Sequence, residues 1–366
     1  MSRPVPHAGA AGGGRAPRRA LVVGKLSPLH LGHQLVLDTA LAECDEVRVL
    51  SWSLPELPGC EAPRRRHWLD ALYGVRLAGV AVLDPARPDP AVPPLPANDA
   101  PEEEPRAFVA ALLRAWGWPV DVVYTSESYG DGFAAALTRA LGHPVTHRRV
   151  DLGRVAIPVS GTALRADPHG LRHFLAPVVY ADFVTTVAFV GAESTGKTTL
   201  AERLAAELDT TCVPEYGRTL WEAQGGLAEA DFVDIGRTHV AWTEARRREA
   251  RRWLFVDTTP LTTAVFAAMW HGRVDPALAA LARETRYDHL FLCEPDFGFV
   301  QDGTRSDPGF QQRMQAHYRV VLAVLGVPYT VLAGPLEDRL RVVRETIGAG
   351  ARGEGAPPVA PLSERS

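Results

Sequence analysis

Cysteine is scarce in this chain of 366 residues, and its four copies, Cys44, Cys60, Cys212 and Cys293, never form a C-x-x-C pair. That spacing excludes a zinc ribbon and a disulfide framework, and a reduced, cytoplasmic setting fits best. The pairs His143/His147 and His169/His173 have metal-ligand spacing, but without a cysteine pair they read as ordinary histidines. Excess positive charge is missing as well. A net charge of -4 leaves no global attraction to nucleic acid or to an anionic membrane, so anion binding must be local. The first 19 residues hold Gly, Pro and Arg but no apolar core, which argues against a signal peptide or a membrane span. They read as a flexible tail, as does the Gly/Pro-rich end from residue 350. Arg15, Arg18 and Arg19 could meet an acidic partner, but the preferred reading is a solvated tail.

The length exceeds one ordinary core and fits two domains, here bounded as 20–180 and 181–349. Hydrophobic residues make up 46% and charged residues 22%, values of a globular chain able to fill both cores.

The sharpest local signal is Gly191-Ala-Glu193-Ser194-Thr195-Gly196-Lys197-Thr198. It matches G-x-x-x-x-G-K-[ST], with the apolar run Val187 to Val190 before it and an amphipathic stretch from Thr199 to Leu208 after it. Strand, glycine-rich turn and helix in that order expose backbone N–H groups and a positive helix end to phosphate. Lys197 is expected at the β and γ phosphates of ATP, and the Thr198 hydroxyl at Mg²⁺. Downstream, Trp253 to Val256 ends in Asp257, which could share that metal with Thr198. Thr211 to Pro214 delivers Glu215, a candidate to accept the proton of an attacking hydroxyl, although Arg218 one turn later could simply pair with it. Strands are expected again at 288–293 and 328–332. Between them lie Arg305, the preferred cation for a transferred phosphoryl group, and a helix bearing Arg313 and Arg319.

The first half opens with the strand Ala20 to Val23. Gly24-Lys25-Leu-Ser-Pro-Leu-His30-Leu-Gly-His33 follows, then a helix over 34–43. Two histidines and an ammonium at a helix start can converge on a triphosphate. Strand candidates at 47–50, 80–83 and 120–124 alternate with helices near 68–77 and 106–116, which argues for a parallel α/β sheet. Ligands gather at the carboxyl ends of such strands, so Thr125 to Ser128 fall near the site. Arg65 is preferred over Arg64 and Arg66 as a phosphate contact. The segment 84–105, Pro-rich and closing in Glu102-Glu103-Glu104, reads as a long loop, either disordered or a lid.

The pattern G-x-x-x-P-x-H-x-G-H after the first strand resembles the HxGH nucleotidyltransferase superfamily, and Ser160-Gly-Thr162-Ala-Leu-Arg165 resembles its S-x-T-x-x-R element. That resemblance implies a doubly wound parallel sheet and assigns Gly24, Lys25, His30, His33, Ser160, Thr162 and Arg165 to a nucleoside triphosphate. An HxGH domain followed closely by G-x-E-S-[ST]-G-K-[ST], with Thr199 continuing the loop, is similar as a whole to the bifunctional NadR-type family. The likeness implies two doubly wound α/β domains. It also implies two activities, phosphorylation of nicotinamide riboside and adenylyl transfer from ATP to nicotinamide mononucleotide.

Several departures accompany it. The short tail has no room for the helix-turn-helix of some relatives, so a repressor role is not expected. The D-T-D of the kinase motif reads Asp257-Thr258-Thr259. Where relatives carry tryptophans able to stack on nicotinamide, this chain has the loop around Glu102, with Trp116 or Trp118 as substitutes. A first domain acting on another phosphate ester, or a nucleotide sensor, remains as an alternative, and homo-oligomerisation is left open.

Overall fold

The computed structural model describes residues 18–296 and 308–350. It divides into two compact units between Asp182 and Phe183. Among the described residues no helix is long and apolar enough to cross a membrane.

The first unit runs β1 (Arg19–Val23), α1 (Leu31–Glu43), β2 (Glu46–Ser51), α2 (Ala62–Leu72), β3 (Gly79–Val82), α3 (Glu103–Trp116), β4 (Val122–Thr125), α4 (Gly130–Leu141), β5 (Thr146–Arg149), α5 (Gly161–Ala166) and α6 (Pro177–Tyr180). Its five strands are parallel in the order β3-β2-β1-β4-β5. Strand order therefore reverses beside β1, and the carboxyl ends of β1 and β4 open the crevice where such sheets bind ligands. Leu21, Val109, Leu112, Leu113, Val123 and Leu137 are buried between the sheet and α3/α4.

The second unit runs β6 (Thr185–Val190), α7 (Lys197–Glu207), β7 (Thr211–Val213), α8 (Tyr216–Gln224), α9 (Asp231–Arg247), β8 (Trp253–Asp257), α10 (Pro260–His271), α11 (Pro276–Glu284), β9 (His289–Cys293), α12 (Pro308–Leu325), β10 (Thr330–Leu332) and α13 (Leu336–Gly350). Its sheet is also parallel, in the order β10-β9-β6-β8-β7. Both units are thus doubly wound α/β sheets. Phe189, Phe255 and Phe291, inside their strands, stack across the sheet in the core shared with α7 and α13.

Several expectations change. Arg19 begins β1 and forks onto Asp121 with bonds of 2.8 and 2.9 Å, so it belongs to the fold rather than to a tail; Arg15 lies outside the described residues. The helix expected near 68–77 starts at Ala62 and ends at Leu72, because Gly74 takes a left-handed conformation with φ 48°. The helix after the Pro-rich segment already begins at Glu103, whose neighbour Pro105 suits a first helical turn. Strand β5 was not foreseen, since Thr-His-Arg-Arg at a sheet edge carries no apolar pattern.

Candidate functional sites

In the second unit the loop 191–196 leaves the central strand β6 and turns into α7. Gly191, Ser194 and Gly196 all have positive φ, at 139°, 57° and 79°. This curls the backbone so that successive N–H groups face one concavity, and α7 has no side-chain cap to consume its first donors. Gly191 is required twice over, because a Cβ there would stand 2.6 Å from the Cys293 carbonyl of the neighbouring strand. The loop is braced from all sides. Thr195 Oγ1 donates to the Ala192 carbonyl at 2.9 Å, Gln315 Oε1 accepts from the Ala192 N–H at 3.0 Å, and Gln311 donates to the Glu193 carbonyl at 2.6 Å. Buried Arg339 donates to the Thr195 carbonyl at 2.9 Å. Lys197 folds back onto the carbonyls of Gly191 and Ala192 at 3.1 and 2.8 Å.

Thr198 Oγ1 donates to Asp257 Oδ2 at 2.6 Å, while Asp257 Oδ1 is buried without a hydrogen-bond partner. Burial first, then the nearby Glu215 charge, raise the Asp257 carboxyl to about 6. A hydroxyl and an orphaned carboxylate oxygen beside a phosphate loop fit the hard oxygen set of Mg²⁺. Among the described residues no cluster of three or more His, Cys, Asp or Glu forms an all-protein metal cage. Glu193, Ser194, Thr195, Gly196, Lys197, Thr198 and Thr199 line a cavity of about 340 Å³. Its wall continues through Glu215 and Arg218, 3.7 Å apart, to Trp221, Phe232, Phe266 and Trp270. One end is therefore charged and the other aromatic.

Two expected cations are elsewhere. Arg319 is held by Glu294 at 2.5 Å, and Arg313 lies over the Phe310 ring, so neither extends toward the loop. Arg305 and the rest of Asp302 to Asp307 lie outside the described residues.

In the first unit His30 caps α1. Its Nδ1 accepts from the N–H groups of Gly32 and His33 at 3.1 and 3.4 Å, and His33 Nδ1 accepts from the His30 N–H at 3.4 Å. The rings stack at 3.7 Å. Burial lowers His30 to about 4, and burial together with His30 puts His33 well below its usual range. Both are neutral at pH 7, with Nδ1 as acceptor and the proton on Nε2. Ser160 caps α5 through the Ala163 N–H, and Arg165 donates to the Ser27 carbonyl at 2.5 Å and to Thr162 at 3.3 Å. A Cβ at Gly161 would meet that same carbonyl at 2.9 Å, so α5 is pressed against the β1 loop. Lys25 is lowered, by burial first and then by the like charge of Arg165.

A cavity of about 220 Å³ opens beside Gly24 and Lys25, walled by Trp52, Asn98, Thr125 and Tyr129. The segment 84–102 forms its rim, fixed at Asn98, whose side chain donates to the Pro55 carbonyl at 2.7 Å and whose carbonyl receives Lys25 Nζ at 3.0 Å. Trp116 and Trp118 pack on each other at 5.1 Å within the core; Trp52 is the tryptophan that reaches the cavity. Arg65 is fully buried, bidentate to Glu56 and bonded to Ser51 and the Lys25 carbonyl, so it supports the loop rather than meeting phosphate. His143 bonds the Val120 carbonyl and His169 the Tyr180 hydroxyl, roles unrelated to metal.

Lysine occurs only twice in the chain, as Lys25 and Lys197, one in each loop. Sequence reading missed Asn98, Gln311, Gln315 and Arg339, whose contacts cross long stretches of chain and leave no local pattern.

These two sheets and the loops that crown them define a protein of two doubly wound α/β units, the second carrying a P-loop. A family model described as an AAA domain matches residues 186–339. The "Trifunctional NAD biosynthesis/regulator protein NadR" of Escherichia coli (strain K12) is 28% identical over 305 residues, 78% of this chain and 71% of the relative. Its namesake from Salmonella typhimurium (strain LT2) is 28% identical over 313 residues, 79% and 73%. A crystal structure of NadR protein in complex with NAD and AMP-PNP shares the fold at TM-score 0.67 and 18% identity, covering 91% of this chain and 96% of that one. A second, in complex with NR, gives 0.65 and 21%, covering 91% and 97%. Over most of its length the chain is therefore similar to NadR proteins in sequence and in fold.

Two outcomes follow from the loop geometry. Gly191→Ala should destabilise the second unit by about 2–4 kcal/mol, read from urea unfolding, since both φ and the Cys293 carbonyl oppose a side chain. Reductive labelling with pyridoxal phosphate should modify Lys25, Lys197 and the N-terminal amine alone, with ATP protecting both lysines in peptide maps.

Proposed function

We propose that the second unit phosphorylates nicotinamide riboside with ATP and that the first transfers the adenylyl group of a second ATP to the resulting mononucleotide, giving NAD and pyrophosphate. The observation that carries this reading is the 340 Å³ cavity, lined by the phosphate loop and Glu215 and by the aromatic rings of Trp221, Phe232, Phe266 and Trp270, which suit a nucleoside. The NadR relatives, named for NAD biosynthesis and solved with NAD, AMP-PNP and NR, support the choice of substrates.

In the second unit the curled backbone and Lys197 would bind the β and γ phosphates. Thr198 and Asp257 would hold Mg²⁺, which when bound neutralises phosphate oxygens. Glu215 takes the proton of the riboside 5′-hydroxyl as the new O–P bond forms and the bond to the ADP oxygen breaks. Asp257 is less suited to that role, because one of its oxygens already accepts from Thr198.

In the first unit the nucleophile is a phosphate monoester, mostly ionised at neutral pH because its second pKa is near 6, so no base is needed. The neutral His30 and His33 rings donate Nε2–H to the triphosphate and to the charge that develops on it. Lys25 and Arg165 stabilise the departing pyrophosphate, with Ser160 and Thr162 beside them at the start of α5.

Chromatography of products from ATP, Mg²⁺ and nicotinamide riboside tests both halves at once. Wild-type protein should form NAD; Lys197→Ala should leave the riboside untouched yet convert supplied mononucleotide; His33→Ala should accumulate mononucleotide, with turnover falling about 100-fold or more and ATP binding changing little. Wild-type protein that stops at the mononucleotide would refute the first-unit assignment.

Proton and metal compete for Asp257. Because its folded carboxyl is raised to about 6, the half-saturating Mg²⁺ concentration of the kinase reaction should rise as pH falls through that value. A titration curve of that concentration from pH 5 to 8 that stays flat would exclude Asp257 as the metal's partner.

A further inference from the structure

The wall of the first-unit cavity contains a hydrogen-bonded relay that the proposed chemistry does not use. Thr125, at the end of β4, is buried and lines the cavity. Its Oγ1 lies 2.9 Å from His147 Nε2 on β5, and His147 Nδ1 lies 2.9 Å from Asp131 Oδ1 on the first turn of α4. The His147 side chain is 3% exposed. The site is built for this ring, since a Cβ at Gly130 would stand 2.1 Å from Nε2. Arg149 pairs with the other Asp131 oxygen and keeps it ionised.

Counting protons gives the relay its meaning. A carboxylate only accepts, so the ring turns its Nδ1–H to Asp131, and a bare Nε2 then faces the Thr125 hydroxyl as an acceptor. The single Thr125 proton then points to Nε2. Of the two hydroxyl lone pairs, one accepts from the Glu127 N–H at 3.2 Å. The second is left for the cavity. Were Nε2 protonated instead, the Thr125 proton would turn to the Glu127 carbonyl, 3.0 Å away, and both lone pairs would be occupied. Of the two lining cations, Arg106 pairs with Glu102 and Lys25 is assigned to the departing pyrophosphate, so neither serves to neutralise an anionic group on the base.

We infer that Thr125 accepts an N–H from an uncharged amide on the base of the mononucleotide, and that His147 and Asp131 are positioning residues that hold its hydroxyl as the acceptor. This rests on the adenylyl-transfer reading of the first unit. An amide is recognised, whereas a carboxylate at the same place brings an acceptor to an acceptor.

The test compares nicotinamide mononucleotide with nicotinic acid mononucleotide as acceptors of the adenylyl group, using the full chain. Wild type should favour the amide by about tenfold or more in kcat/KM, the loss expected when a buried polar group goes unpaired. Thr125→Val should bring that ratio near one through KM for the amide, with KM for ATP unchanged, and Thr125→Ser should keep it. His147→Leu, which reaches the hydroxyl from outside the cavity, should lower the ratio as far as Thr125→Val does. The double variant should go no lower, because both act on one bond. A ratio unmoved by Thr125→Val, or losses that multiply in the double variant, would overturn the inference while leaving adenylyl transfer intact. Wild-type protein that adenylylates neither probe would instead remove the reading beneath it.

Discussion

Both units depend on one topological constraint, that the first strand of each sheet lies in its middle. Because β1 sits between β2 and β4, and β6 between β8 and β9, successive crossovers leave in opposite directions. The loop after the central strand then opens on the crevice, and its backbone groups need partners brought from distant parts of the unit or from a ligand. The chain answers this twice with different chemistry. In the second unit positive φ at Gly191, Ser194 and Gly196 turns N–H groups inward. In the first, a pair of stacked histidines closes the start of α1.

Distribution of positive charge follows the same division. With two lysines in 366 residues, each loop has one compact ammonium. A mobile point charge can leave carbonyls such as those of Gly191 and Ala192 for an arriving phosphate at small cost, whereas a forked guanidinium is better spent where geometry is fixed. The pKa directions agree, for Lys25 is lowered by burial and by Arg165, a condition that an anion would relieve.

Contiguity decided what could be read from the chain. The turn at Gly191 to Thr198, the Asp257 strand end and the two histidines around Gly32 carry their meaning within a few residues, and the alternation of apolar runs with helical stretches carries the sheet. What escaped is built from distance. Strand β5 has no apolar face to announce it, being an edge of His and Arg. Gln315 meets Ala192 across 123 positions. His147 has metal-ligand spacing from His143 and reads as an ordinary histidine, yet its ring is turned to Thr125 and Asp131, a relation the parallel pairing of β4 with β5 creates. The Pro-rich stretch looked free because proline withholds backbone donors, but a single side chain, Asn98, ties it to the turn at Leu54 and Pro55.

Beneath each loop lies a buried arginine, and these two residues explain how the loops hold shape without a ligand. Arg65 donates to the Lys25 carbonyl and forks onto Glu56; Arg339 donates to the carbonyls of Thr195 and Glu294 and pairs with Asp296. Each is buried almost completely, at 0% and 1% exposure. A buried guanidinium is costly to desolvate unless its donors find partners, and here those partners include one loop carbonyl and one carboxylate each, although the Arg65 Nε has none. The same bonds that compensate the buried charge therefore fix which way those carbonyls point, and with them the N–H groups on the other side of the peptide planes. Loop shape is thus set from the core side, and the ligand side is left to the lysines.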